Sequence, residues 1–169
     1  CLLETYGNPS STHSFGRSAK SKLENARKVI ASYLNASPQE IIFTSGGTES
    51  DNMLIRCAVK DIGVSTIISS RLEHHAVLHT LDDLKSSGIN IKYVKTNNKG
   101  QVDLQDLERL LKEDKSKKLV TLMYVNNEIG TILDIKRVGM LCKDSNALFH
   151  TDAVQGVAHF NIDVEKYNI

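Results

Sequence analysis

The sequence carries no excess of charge of either sign: 21 lysines and arginines stand against 20 aspartates and glutamates in 169 residues. That near-cancellation excludes the broad basic field with which proteins hold nucleic acid or an anionic membrane. Long apolar runs are also lacking. The longest extends over only a few residues, whereas a membrane-spanning helix needs about 20. Cysteine is scarce: Cys1, Cys57 and Cys142 are odd in number, widely spaced and outside any metal-ligand motif. Free thiols in a reducing intracellular compartment are the simplest reading. Internal repeats and low-complexity linkers are missing. Gly-x-Gly-x-x-Gly and the Walker-type loop are missing too, which argues against dinucleotides and ATP. Glu73-His74-His75 has the wrong spacing for a His-Glu-x-x-His zinc helix, and no Gly-x-Ser-x-Gly elbow occurs.

What is present is the composition of a globular domain, with 40% hydrophobic and 24% charged residues. The chain is long enough for one ordinary domain with a sizeable core. It begins at Cys1, so its first residues carry no targeting information. Residues 6–16 are turn-rich. Phe15, Ala19, Leu23, Ala26, Ile30 and Leu34 recur at spacings of three and four and predict a helix, ended by Asn35-Ala36-Ser37-Pro38. Residues 40–44 predict a first strand. A small, hydroxyl-rich turn, Ser45-Gly46-Gly47-Thr48, follows and leads into a helix over 50–60.

Strands at 66–69, 89–94, 119–125 and 147–150 then alternate with helices at 75–87, from Leu104 to Leu111, and at 134–143. Gly88 suits the position just past a helix end, and Asp103 the cap of the next helix. The alternation, without hairpin turns, predicts an α/β fold: a mostly parallel sheet with helices on both faces.

Ligands of open parallel sheets sit outside the carboxyl ends of the strands. Four polar clusters follow predicted strands: Ser45-Gly46-Gly47-Thr48, Arg71-Leu72-Glu73-His74-His75, Asn126-Asn127-Glu128 and Asp152-Ala153-Val154-Gln155. Together they describe a site with a phosphate cradle, a histidine, an amide and a carboxylate. The glycine turn offers free N–H groups at the positive end of a helix dipole, which suits an anion. Each cluster also has an ordinary alternative. The glycines serve equally in a plain strand-to-helix turn, His74 and His75 as a cap or surface residues, Asn127 as a turn residue, and Asp152 as an N-cap.

At these clusters the chain resembles the cysteine desulfurases of the class V aminotransferase group. The matching segments are Tyr-Gly-Asn-Pro-Ser-Ser-x-His at 6–13, Thr-Ser-Gly-Gly-Thr-Glu-Ser-Asp-Asn at 44–52, Glu-His-x-Ala-Val-Leu at 73–78, Val-Asn-Asn-Glu-Ile-Gly at 125–130 and His-x-Asp-Ala-x-Gln at 150–155. The resemblance implies the large pyridoxal-phosphate-binding domain of fold type I, incomplete, over residues 1–169, with a loop region at 1–13 and an alternating body at 14–169. It implies pyridoxal 5′-phosphate as cofactor. Gly47 and Thr48 would bind its phosphate, His74 would stack on its ring and move protons, Asn127 and Gln155 would contact its ring hydroxyl, and Asp152 would pair with its ring nitrogen. No metal is implied.

The activity implied is conversion of L-cysteine to L-alanine, with sulfur leaving as a persulfide for iron–sulfur clusters or thiolated tRNA. The implied setting is a cytoplasmic homodimer, an organellar location remaining open, that meets a sulfur-acceptor protein such as an iron–sulfur scaffold. Neither nucleic acid nor membrane is contacted directly. The family's cofactor-binding lysine, in a Ser-x-His-Lys-type segment, and its nucleophilic cysteine have no counterpart in this sequence, so truncation at both ends is expected. A selenocysteine lyase or a small-amino-acid aminotransferase of the same group, and a catalytically inactive, truncated interaction partner, are the alternatives.

Overall fold

A computed structural model describes residues 4–169, and they divide into two compact units. The first comprises the residues up to Phe43 together with 161–164. Its main element is helix α1, Ser14–Leu34. His13 caps it, Nδ1 accepting the Gly16 N–H at 3.3 Å, and Asn35 ends it in the left-handed conformation at φ 54°. The turn-rich segment before α1 folds tightly against its start. A Cβ at Gly7 would lie 2.4 Å from the Phe15 carbonyl oxygen, so only glycine fits.

Ser37 and Glu40 form a capping box around a single 3-10 turn, Pro38–Glu40. The strand predicted at 40–44 does not form: residues 41–44 are extended but join no ladder among the described residues. Ile42 and Phe43 are exposed, and the Ile41 carbonyl accepts from the Arg27 guanidinium, which also lies over the Phe43 ring. Three β-favouring residues supply propensity, but a strand exists only where a neighbour pairs with it.

The second unit, 44–160 with 165–169, holds the sheet. Helix α2 (Gly47–Lys60) comes first, followed by β1 (Thr66–Ser69), α3 (His75–Ser86), β2 (Asn90–Tyr93), α4 (Leu104–Lys112), β3 (Lys118–Thr121), α5 (Ile135–Asp144), β4 (Leu148–His150) and the short α6 (Val164–Tyr167). The strand order is β2-β1-β3-β4 and every pairing is parallel, with Ile67 opposite Ile91 and Leu119, and Val120 opposite Phe149. The chain steps outward from β1 to β2, then crosses back to β3 and β4. Right-handed crossovers therefore place α3 on one face and α4 and α5 on the other. The mostly parallel sheet with helices on both faces is the architecture predicted.

Every residue of β1 and β3 is buried, as strands covered on both faces require. On one face Ile67 and Leu119 pack with Ile55 and Ala58 of α2 and Val77, Leu81 and Leu84 of α3. Asp103 caps α4, its Oδ1 accepting from the Gln105 and Asp106 N–H groups, and Gly88 follows α3 at φ +95°.

One close approach fixes α5. A Cβ on Gly139 would sit 1.7 Å from the Tyr167 carbonyl oxygen. We expect Gly139→Ala to destabilise the protein by about 1–3 kcal/mol through this overlap, read from the urea midpoint. An unchanged midpoint would show that the C-terminal turn yields freely.

Candidate functional site

The carboxyl ends of β1, β3 and β4 converge on one rim. Past the last ladder residue of β3, Leu122 N–H donates to the His150 carbonyl at 3.2 Å and Tyr124 N–H to the Asp152 carbonyl at 2.9 Å. The Thr151 hydroxyl donates to the Leu122 carbonyl at 2.7 Å. Met123 and Asp152 are thereby held side by side. The loop after β3 is built by Asn126, whose Oδ1 accepts from the Glu128 and Ile129 N–H groups and whose amide donates to the Leu72 carbonyl at 2.8 Å. Asn127 is left at the surface of that loop.

A pocket of about 260 Å³ opens at this rim, and Gly47, Thr48, His74, Asn127, Asp152 and Gln155 all line it. These are all six residues singled out from the sequence, drawn from four separate clusters. Asp51, Met123 and Val154 complete the lining and were not foreseen. For Asp51 a signal existed: it lies four residues beyond Gly47 on the same helix, so one turn separates them.

Two helix N-termini face the pocket. Helix α2 begins at Gly47, and no side chain caps it from Gly46. Its first N–H groups are therefore open to an anion, and the dipole favours one. A Cβ at Gly47 would come within 3.0 Å of Val154 Cγ2, so a side chain there would crowd the lining. Glu49 folds back to the residue before the N-cap, its carboxylate accepting both the N–H and the hydroxyl of Ser45 at 2.6 Å, contacts that hold it below the usual carboxylate range.

Helix α3 is capped by His74, whose Nδ1 accepts the Ala76 N–H at 3.2 Å. The two helices are tied together by Asn52. Its amide donates to the carbonyls of Thr48 and Ala76, and its Oδ1 accepts the Thr80 hydroxyl at 2.7 Å. Gly47, Thr48 and His74 thus keep a fixed relation. His75 turns instead toward His79, 5.2 Å away between ring centres, and does not line the pocket.

Asp152 is buried, and its Oδ1 accepts the Val154 N–H at 3.0 Å. The turn-capping and pocket-lining readings of this residue thus hold together. Beneath the pocket, His150 is buried between Thr121, whose hydroxyl lies 2.8 Å from Nδ1, and Asp51, whose Oδ1 lies 3.4 Å from Nε2. The remaining acid is Glu73, also buried. Burial pushes its carboxyl up to about 7, with smaller contributions from the charges of Asp152 and Asp51.

That displacement has a consequence for stability. A carboxyl titrating near 7 when folded and near 4.5 when unfolded binds the proton more tightly in the folded protein. Its contribution is complete below about pH 4.5 and is lost as pH rises towards 7. Urea titrations across that range should show unfolding free energy falling with pH, with the slope reduced in Glu73→Gln; equal slopes would contradict the assignment.

The two described cysteines lie elsewhere. Cys57 is exposed on α2 and Cys142 is buried in α5, where burial pushes its thiol up to about 12. No cluster of three or more metal-ligating side chains occurs among the described residues. Chemically, the pocket offers amide N–H groups and a hydroxyl for an anion, an imidazole, two carboxamides and a carboxylate. That set suits a phosphorylated, flat, nitrogen-containing ring.

The class-V aminotransferase family model matches residues 1–169. The chain is 46% identical over 168 residues to a protein of Bacillus subtilis described as putative cysteine desulfurase IscS 1, covering 98% of this chain and 44% of that protein. A solved structure described as a NifS-like protein superposes with a TM-score of 0.93 at 38% identity, covering 99% of this chain and 47% of its own. Another, described as SspA in complex with cysteine, has a TM-score of 0.88 at 33% identity, covering 98% and 48%. The chain therefore spans less than half the length of these relatives. Agreement in sequence and in fold from one end of the chain to the other establishes that it belongs to the class-V aminotransferase family.

Proposed function

We propose that the protein carrying this chain is a pyridoxal-phosphate-dependent cysteine desulfurase, which converts L-cysteine to L-alanine and passes the sulfur on as a persulfide. The observation that carries this reading is the convergence of Gly47, Thr48, His74, Asn127, Asp152 and Gln155 on one pocket. The related SspA structure, described as a complex with cysteine, supports the choice of substrate.

The residues present fit the cofactor. The uncapped start of α2, with a glycine where a side chain would crowd Val154, suits the phosphate. Asp152, buried and with Oδ1 engaged by the Val154 N–H, keeps Oδ2 for the ring nitrogen. Bound there, pyridoxal phosphate supplies an electron sink for the α-carbon of an amino acid. Asp152 holds the proton on the ring nitrogen by pairing with it. His74 covers the ring face; its Nδ1 is occupied by the Ala76 N–H, so Nε2 is the atom that holds or moves a proton. Asn127 and Gln155 orient the ring through its hydroxyl.

No lysine or cysteine among the described residues lines the pocket. The covalent anchor of the cofactor and the sulfur-accepting thiol are to be sought outside this stretch. The setting proposed is a cytoplasmic homodimer that delivers sulfur to an acceptor such as an iron–sulfur scaffold. No helix of the described residues is long and apolar enough to cross a membrane.

The test is the complete protein incubated with L-cysteine, pyridoxal phosphate and a thiol reductant. Alanine and sulfide should form in equal amounts. Absence of sulfide from protein that has taken up the cofactor would overturn the reading.

A further inference from the structure

Three buried acids lie at or beside the site, Asp51 and Asp152 lining the pocket and Glu73 feeling the charge of both, and the structure distinguishes them. Asp51 has a partner of complementary character in His150, at 3.4 Å. Asp152 has the Val154 N–H and an open pocket above it. Glu73 has neither. Its Oε1 accepts the Ser70 hydroxyl at 2.8 Å, while its Oε2 is buried and has no hydrogen-bond partner. An ionised oxygen left bare in this way is costly, whereas a protonated one is far less so.

Glu73 lines a second, small cavity of about 30 Å³, with Leu72, Val102, Asn126, Thr131 and Leu133 among its other walls. No other titratable group lines that cavity. The charges that reach Glu73 are those of Asp152, following β4, and Asp51, on α2; both are negative. On its own loop, His74 turns its Nδ1 to the Ala76 N–H and Arg71 lies over the Tyr93 ring. Among the described residues, no cation contributes to the charge felt by the Glu73 carboxyl.

We propose that Glu73 is a positioning residue of the site: its buried, half-partnered carboxyl stays neutral, so that no second negative charge stands beside Asp152. Its role rests on the reading of Asp152 as the partner of the cofactor's ring nitrogen. A neutral Glu73 lets that anion stand without a second like charge next to it, and the bond to Ser70 clamps the loop that presents His74. Ionised, the same side chain would set a second anion against Asp152 and weaken the distinction between the acids.

The experiment is an infrared pH titration of the complete protein without cofactor, its glutamates labelled with carbon-13. A neutral-acid carbonyl band, shifted by the label, should be present at about pH 6 and vanish as pH rises past about 7. The band should be missing from Glu73→Gln. In Asp152→Asn, which removes a neighbouring negative charge, it should vanish at lower pH than in the unsubstituted protein. A purely structural side chain would give no such coupling.

If no glutamate is neutral at about pH 6, or if the midpoint is the same with Asp152→Asn, the proposal fails. The label assigns the band to glutamate in unsubstituted protein, so the result stands even where Glu73→Gln does not fold. Cofactor uptake, read separately from absorbance, tests the function: a protein with the coupled band but no uptake contradicts the desulfurase reading and not the acid assignment.

Discussion

Asp152→Ala should lower turnover of the complete protein at least about 100-fold and weaken its hold on pyridoxal phosphate, because in the proposed function this carboxylate pairs with the ring nitrogen. The residue is buried at the pocket floor, and its position is set by backbone and not by surface chance: the Asp152 carbonyl accepts the Tyr124 N–H beyond the ends of β3 and β4. That bond survives truncation of the side chain. The variant should therefore fold, and its deficit should be one of chemistry. Absorbance titration with the cofactor and alanine release from cysteine would measure the two effects, with urea unfolding as the control for structure. Turnover within a few-fold of the unsubstituted protein would remove Asp152 from the site.

Leu81→Ala should cost about 2–5 kcal/mol of stability, the range for truncating a fully buried leucine. Leu81 has no exposed surface and sits on α3 within the cluster that includes Ile55, Val77, Leu84 and Leu119. This core joins α2 and α3 to the sheet, and those two helices carry Gly47, Thr48 and His74 at their starts. The loss is a large share of the 5–15 kcal/mol that keeps an ordinary domain folded. Chemical denaturation of the complete protein would give the value. A cost below about 1 kcal/mol would mean the cluster collapses around the gap, contrary to the close packing seen.

Much of this was legible in the sequence because parallel sheets write themselves plainly. Thr66–Ser69 is buried throughout, with Ile67 and Ile68 at its centre, and α3, α4 and α5 each carry their own side-chain cap. The strand at 40–44 was misread for the same reason that the others were read correctly. Ile41, Ile42 and Phe43 have the composition of a strand, but pairing is a property of neighbours, and none of the ladders takes them in. The ladder of β3 ends at Thr121, short of Val125, although Leu122 and Tyr124 go on donating to the chain after β4.

At the site, the strand-end rule brought the clusters after β1, β3 and β4 to one rim, and His74, Asn127, Asp152 and Gln155 meet Gly47 and Thr48 there, although no ladder strand precedes those two. The Asp51–His150 pair and the bare oxygen of Glu73 depend on distances across the fold, which local spacing does not encode. Met123 and Val154, apolar and unremarkable as letters, line the pocket only because of the turns around them.

The most direct test of the central claim is a crystal structure of the complete protein with pyridoxal phosphate. The account predicts the phosphate on the N–H groups at the start of α2 and on the Thr48 hydroxyl, the ring nitrogen against Asp152, and His74 over the ring. A phosphate bound away from Gly47 and Thr48, or a ring nitrogen directed away from Asp152, would contradict it.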